Sequence, residues 1–263
     1  MKKFISIALA AVTALSLVAC GSGASKSSDS TAAGDKSGKE YVIATDTAFA
    51  PFEFTDKDNK FTGIDVDILE AIAKDQGFKY KLQSLGFDAS VAALESSQCD
   101  GVIAGMSITP ERQKKYDFSE KYYDSYVCVA AKKGGDVKSL DDLKGKKVAA
   151  KTGTMGAEAA EDLKGKYGFS ITYFDDSSLM YQDVKTGNTS ACFEDQPVMA
   201  YGITQGNGLE IIDEEKDNYS TPYGFAVLKG QNADLLKMFN DGLADIQKNG
   251  TYDKIVEKYT GQK

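Results

Sequence analysis

The 263-residue chain contains no histidine and no tryptophan. The first absence removes histidine-based triads, histidine general bases and histidine metal sites together. Cysteine is scarce, with Cys20 near the N-terminus and Cys99, Cys128 and Cys192 scattered in apolar surroundings. The last three, an odd number placed this way, read as small buried hydrophobes rather than a disulfide framework. Basic charge falls short of acidic charge: 31 Lys and Arg against 39 Asp and Glu give −8, or −10 once Lys2 and Lys3 are removed (29 against 39). An acidic chain of this kind is a poor partner for nucleic acid. No phosphate loop of the Walker type occurs, and neither a metal site nor a cofactor is expected.

What is present suits a globular protein, with 42% hydrophobic and 27% charged residues. The length exceeds what one core usually supports, so two medium domains or one large one are expected. Residues 1–19 read as a targeting segment: Lys2 and Lys3 precede an apolar run from Phe4 to Val18, too short for a membrane span. Its end, Leu17-Val18-Ala19-Cys20-Gly21, resembles the lipobox of bacterial lipoproteins. That resemblance implies cleavage before Cys20, a lipid on its sulfur and a location on the outer face of the cell membrane. The stretch from Gly21 to Gly38 holds only Gly, Ser, Ala, Thr, Asp and Lys. With nothing to bury, it reads as a flexible tether (residues 20–38 with the lipidated cysteine) spanning roughly 25 Å.

From residue 39 onward, strands alternate with helices, the pattern of α/β layers with largely parallel sheets. Strands are expected at Tyr41–Asp46, Lys79–Leu85, Asp100–Ala104, Tyr126–Ala131, Lys147–Ala150, Ser170–Phe174, Ser190–Phe193 and Tyr223–Leu228, with a hairpin from Glu53 to Phe61. Helical spacing of Ile68, Leu69, Ile72 and Ala73 ahead of Gly77 marks one amphipathic helix, and Ala233–Lys248 and Tyr252–Tyr259 mark two more. Breaks near Lys132–Gly135 and Asp213–Ser220 divide the chain into three parts, and two extended crossings would let the third rejoin the first. The result is two lobes on a double hinge: residues 39–125 with 224–263, and residues 126–223.

Ile103 to Arg112 carries the strongest functional signal. A buried strand ends in Gly105, then Ser107 and Thr109, and Pro110 suits the first position of a helix whose first turn would hold Arg112. Hydroxyls, free N–H groups and a guanidinium at a strand's carboxyl end make a site for a small carboxylate, although Arg112-Gln113-Lys114-Lys115 could also be a solvated basic face. Three other strand ends are built alike: Asp46; Lys151-Thr152-Gly153-Thr154-Met155; and Glu194-Asp195-Gln196-Pro197. Several strand ends aiming polar groups at one crevice is how open α/β sheets place a ligand.

Gly63-Ile64-Asp65-Val66-Asp67-Ile68, the Ala104–Arg112 stretch, Ser139-Leu140-Asp141-Asp142-Leu143-Lys144-Gly145 and Asn249-Gly250-Thr251-Tyr252 together resemble the amino-acid-binding proteins of bacterial ABC transporters, glutamine-binding members most of all. The resemblance implies a two-lobed periplasmic-binding-protein fold of type II that closes on one free amino acid, and a monomer that docks on a membrane permease coupled to an ATPase. It assigns Arg112, Ser107 and Thr154, with the N–H groups around Met155, to the ligand carboxylate. Asp195, Ser107 and the Gly105 carbonyl would take the ammonium, Phe49 and Phe87 would sandwich the side chain, and Asp46, Lys151 and Glu194 would meet its tip. Asp46 and Glu194 against Lys151 leave −1 there, which disfavours an acidic ligand and suits an amide, glutamine first and asparagine second. A basic amino acid (arginine, lysine or histidine) is the alternative, as is a dehydratase-type enzyme on the same fold with Glu194 as general acid.

Overall fold

The computed structural model describes residues 38–220 and 222–261. The expected signal segment, Cys20 and the tether up to residue 37 lie outside the described residues. No helix among the described residues is long and apolar enough to cross a membrane.

Two five-stranded sheets form the centres of two mixed α/β lobes, the type II periplasmic-binding-protein fold. In the first lobe β1 (Glu40–Thr45) lies parallel to β4 (Lys79–Ser84) and to the two-residue β5 (Gly101–Val102). Beyond β5, β12 (Ala226–Leu228) and β6 (Tyr116–Phe118) complete the sheet with antiparallel pairings. A two-stranded hairpin, β2 (Phe54–Thr55) with β3 (Phe61–Thr62), sits between β1 and α1 (Ile64–Gln76). In the second lobe β7 (Val127–Lys132), β8 (Lys147–Lys151), β9 (Ser170–Phe174), β10 (Ala191–Asp195) and β11 (Leu209–Glu214) are ordered β11-β7-β10-β8-β9. β8, β9 and β10 run parallel, and β7 runs antiparallel to both its neighbours. The sheets are therefore mixed. β7 and β12 are the strands entered directly from the other lobe, without a helical crossover to turn them parallel.

Each sheet is covered on both faces. In lobe one, α1 buries Ile64, Ile68, Leu69, Ile72 and Ala73 against α6 (Ala233–Lys248), whose Leu235, Phe239, Leu243 and Ile246 form the matching stripe. Gly77 ends α1 in the left-handed conformation and donates to the Ala73 carbonyl, as its sequence position suggests. α2 (Phe87–Glu95) covers the other face and α7 (Thr251–Thr260) packs beside α6. In lobe two, α3 (Met155–Tyr167) covers one face, while α4 (Ser177–Thr186) and α5 (Gln196–Thr204) pack against the other. Cys99, Cys128 and Cys192 are free and buried in these cores.

Two segments join the lobes side by side, bridged at Tyr123–Tyr223 and Tyr126–Ser220. Two strands escaped the sequence expectation. β6 is only three residues long, and β11 is an edge strand with a register break between Ile211 and Asp213 that blurs its alternation.

Candidate functional site between the lobes

The carboxyl ends of β1, β8 and β10 and the segment after β5 face one another across a nearly shut cleft, with only about 10 Å³ left for the centre of a water-sized sphere. Asp46, Phe49, Phe87, Ala104, Gly105, Ser107 and Arg112 line it from one side, Lys151, Thr154, Met155 and Asp195 from the other. Ten of the eleven residues named from the sequence therefore meet in one cavity, together with Ala104.

The eleventh, Glu194, lies behind that wall. The Glu194 carboxylate is absent from the cavity wall and accepts from Ser177 Oγ at 2.9 Å, Tyr181 OH at 2.7 Å and the Asp195 N–H at 2.9 Å. Adjacent residues of a strand point to opposite sides, so with Asp195 facing the cleft Glu194 turns into lobe two. Burial raises its pKa, while Lys151 and these three donors pull it back.

The tip end of the cavity holds a buried ion pair. Lys151 Nζ meets Asp46 Oδ2 across the cleft with both side chains 2% exposed, and Asp46 Oδ1 accepts from the Thr47 N–H at 2.6 Å. The Lys151 ammonium also lies 5.2 Å from the centroid of the Phe49 ring, a cation–π contact.

At the other end, Arg112 stacks on Phe87, its guanidinium carbon 5.5 Å from the ring centroid. Nη1 donates to the Ser107 carbonyl at 3.0 Å, and Nη2 reaches across the cleft to the Gly153 carbonyl at 2.9 Å. Burial lowers its pKa, against the pull of Glu158 and Asp195. The α-helix expected to begin at Pro110 is instead a 3₁₀ turn, Arg112–Lys114, with Thr109 Oγ1 accepting from the Arg112 N–H. So short a turn has little dipole for Arg112 to oppose. Thr154 does cap a full helix: its hydroxyl accepts from the Ala157 N–H at 3.3 Å and donates to the Lys151 carbonyl at 2.7 Å. The start of α3, with Met155 in the cavity wall, points its N-terminal end at the cleft.

Asp195 caps the arrangement from the hinge side. Its Oδ2 accepts from Tyr223 OH at 2.5 Å, and burial together with the neighbouring Glu194 pushes its pKa up to about 7. Tyr223 is fully buried on the crossing segment, and its role went unseen in sequence because an extended Tyr-Gly-Phe stretch gives no sign of which hydroxyl is turned inward. The cleft thus offers a cation and a helix N-terminus at one place, a carboxylate nearby, two aromatic walls and a self-neutralised ion pair beyond them. This set can bind a small zwitterion.

Residues 41–262 match the bacterial extracellular solute-binding proteins, family 3. The chain belongs to that family. It is similar over its whole length to the arginine-binding extracellular protein ArtP of Bacillus subtilis, at 33% identity over 269 residues with all of both chains covered. Among solved structures, an ancestral arginine-binding protein bound to glutamine superposes with a TM-score of 0.77 at 39% identity, covering 85% of this chain and 98% of that one. An ancestral arginine-binding protein bound to arginine gives the same score and identity over 86% and 99%. These homologues are solute-binding proteins and not enzymes, as the main sequence reading expects of this chain.

Proposed function

We propose that this protein captures a polar amino acid outside the cytoplasmic membrane for an ABC importer, with glutamine as the preferred ligand. At the coarser level it is an amino-acid-binding component of an ABC transporter, as its family and relatives are. Arg112, Ser107, Thr154 and the N–H groups at Met155 take the ligand carboxylate. Asp195, with Ser107 and the Gly105 carbonyl, takes the ammonium. Phe49 and Phe87 hold the side chain between them, and Asp46 with Lys151 reads its tip. The moving bodies are residues 39–125 with 224–263 and residues 126–223, which close because the ligand touches both. A lipid on Cys20 would keep the pair near a membrane permease.

The observation that carries glutamine is the buried Lys151–Asp46 pair. Lys151 and Asp46 cancel each other, and Glu194, next to Lys151 in the register of β10 on β8, leaves a formal −1 around the tip. A neutral amide completes such a site, donating to Asp46 and accepting from Lys151, whereas a second cation has to displace Lys151 from its partner. The basic reading rests on a different observation: ArtP and the ancestral proteins are named for arginine, and ancestral proteins 39% identical to this chain were solved with either ligand. Asp46 is the group that an arginine side chain would claim.

Calorimetric titration of the purified protein with all twenty amino acids tests both. Glutamine ahead of arginine supports the main reading, the reverse order supports the basic one, and no binding at all removes the transport reading.

A further inference from the structure

Behind the cleft, lobe one buries two acids that the ligand site does not use. Glu53 is fully buried, and the hydrogen-bond donors of the surrounding protein leave both its carboxyl oxygens unmatched. Asp65 is also fully buried, its Oδ1 likewise has no donor, and its carboxyl neighbours that of Glu53 closely enough for each to act on the other's charge. Their meeting is built into the chain. The Ile64 and Asp65 N–H groups donate to the Pro51 and Phe52 carbonyls at 2.9 Å, which staples the loop carrying Glu53 onto the start of α1. Gly63 makes this possible, since a Cβ there would stand 2.0 Å from the Phe52 carbonyl oxygen.

Two neighbouring carboxylates in a dry core cannot both stay ionised, because neither is solvated and no cation separates them. The partners decide which one keeps the proton. Asp65 Oδ2 accepts from the Gly105 N–H at 2.8 Å and from Tyr122 OH at 2.8 Å, and Asp65 lies in the first turn of α1, where the helix dipole favours an anion. Glu53 has no comparable donors, and its nearest charges include Asp65 and Asp46. Lys151 is the cation facing the pair, while Tyr122 and Tyr252, the latter donating to the Tyr122 carbonyl, complete the groups around it.

We propose that Glu53 is a neutral carboxylic acid whose O–H donates to Asp65 Oδ1, and that the pair is a positioning device for the Gly105 peptide of the ligand cleft. The proton satisfies the Asp65 oxygen that otherwise has no donor. Asp65, held as the anion, grips the Gly105 N–H and so fixes the plane of the Ala104–Gly105 peptide, from which the Gly105 carbonyl continues on the ligand side. Burial raises both acids, Glu53 well above its usual range and Asp65 to about 6, in keeping with one shared proton at neutral pH. The positioning role rests on the ligand site proposed above, whereas the shared proton does not.

Infrared spectra of the full-length chain carrying heavy-carbon-labelled glutamate test the proton directly. At neutral pH a protonated-carboxyl band that moves with the label is expected, and part of it should vanish in Glu53→Gln. Subtracting the variant isolates Glu53 from Glu194. Binding of L-glutamine and L-arginine then tests the positioning. Glu53→Gln, whose amide N–H replaces the acid O–H, should hold affinity within about twofold, while Glu53→Leu and Asp65→Asn should weaken it roughly tenfold or more. An identical glutamate band in the native chain and Glu53→Gln would overturn the neutral acid. Equal weakening by Glu53→Gln and Glu53→Leu would overturn the donated proton as the positioning element. A native chain that binds no amino acid defeats the ligand reading alone, since the band decides the proton by itself.

Discussion

Lys151 and Asp46 meet across the cleft as an ion pair, one at the end of a strand in each lobe, with no water-exposed route to either charge. The pair ties the two lobes together and occupies the place where a ligand side chain would end. Breaking it by removing one partner leaves a buried charge alone, a change worth about 3–5 kcal/mol in comparable pairs. Lys151→Met is therefore expected to lower the thermal midpoint of the empty protein. It should also reverse the ligand order, since Asp46 then welcomes a cation: arginine binding strengthens and restores the midpoint, and glutamine binding weakens. Calorimetry and thermal unfolding with each ligand check both halves.

Arg112 binds carbonyls of both lobes through its two terminal nitrogens while its plane lies on Phe87. Arg112→Ala is expected to abolish measurable affinity for every amino acid. Arg112→Lys should keep the charge but lose the planar fork and the stacking, leaving affinity lower by roughly tenfold to a hundredfold. If the lysine variant binds as tightly as the native chain, Arg112 acts as a point charge only.

How the site was legible in sequence depends on the kind of signal. Gly77 closing α1 and Thr154 opening α3 are local signals, and both act where their positions suggest. The four strand ends were legible because polar residues at the close of an apolar run have no core reason to be there. Glu194 stands off the cavity wall for a physical reason: its neighbour Asp195 looks equivalent in a list of acids, but strand alternation turns the two to opposite faces. The helix expected after Pro110 failed because only five residues, Glu111 to Lys115, follow before β6 takes the chain, leaving room for one tight turn. Tyr223 and the Glu53–Asp65 pair depend on segments far apart in the chain, which no local pattern announces.

Asp195 is expected to set the pH dependence of binding. A ligand ammonium needs its carboxylate ionised, and its pKa stands at about 7. Affinity should be full above that value and fall as pH drops through it, by up to about tenfold per unit. The empty protein behaves oppositely. A carboxyl whose pKa is raised by folding adds stability at low pH and loses it as pH rises through about 7, so this group makes the empty form more stable on the acid side. Because Glu194 is one cause of the shift, Glu194→Gln should move the binding midpoint to lower pH. It should leave the order of ligands unchanged, since Glu194 does not line the cavity. A changed order at fixed pH would return Glu194 to the ligand site.

Gly105 has a single acceptable occupant. Its φ of +53° lies in the left-handed region, where a side chain costs roughly 1–2 kcal/mol. A Cβ there would also stand 2.5 Å from Phe49 Cε1 and 3.3 Å from Tyr223 Cε2. Phe49 can only retreat into the ligand's space, because Phe52 and Tyr223 already pack against it. Gly105→Ala should thus weaken amino-acid binding far more than it lowers the thermal midpoint. The companion change Phe49→Leu in the same chain should restore part of the affinity by making room. If the double variant binds no better than Gly105→Ala alone, the backbone conformation rather than the ring contact is the constraint at this position.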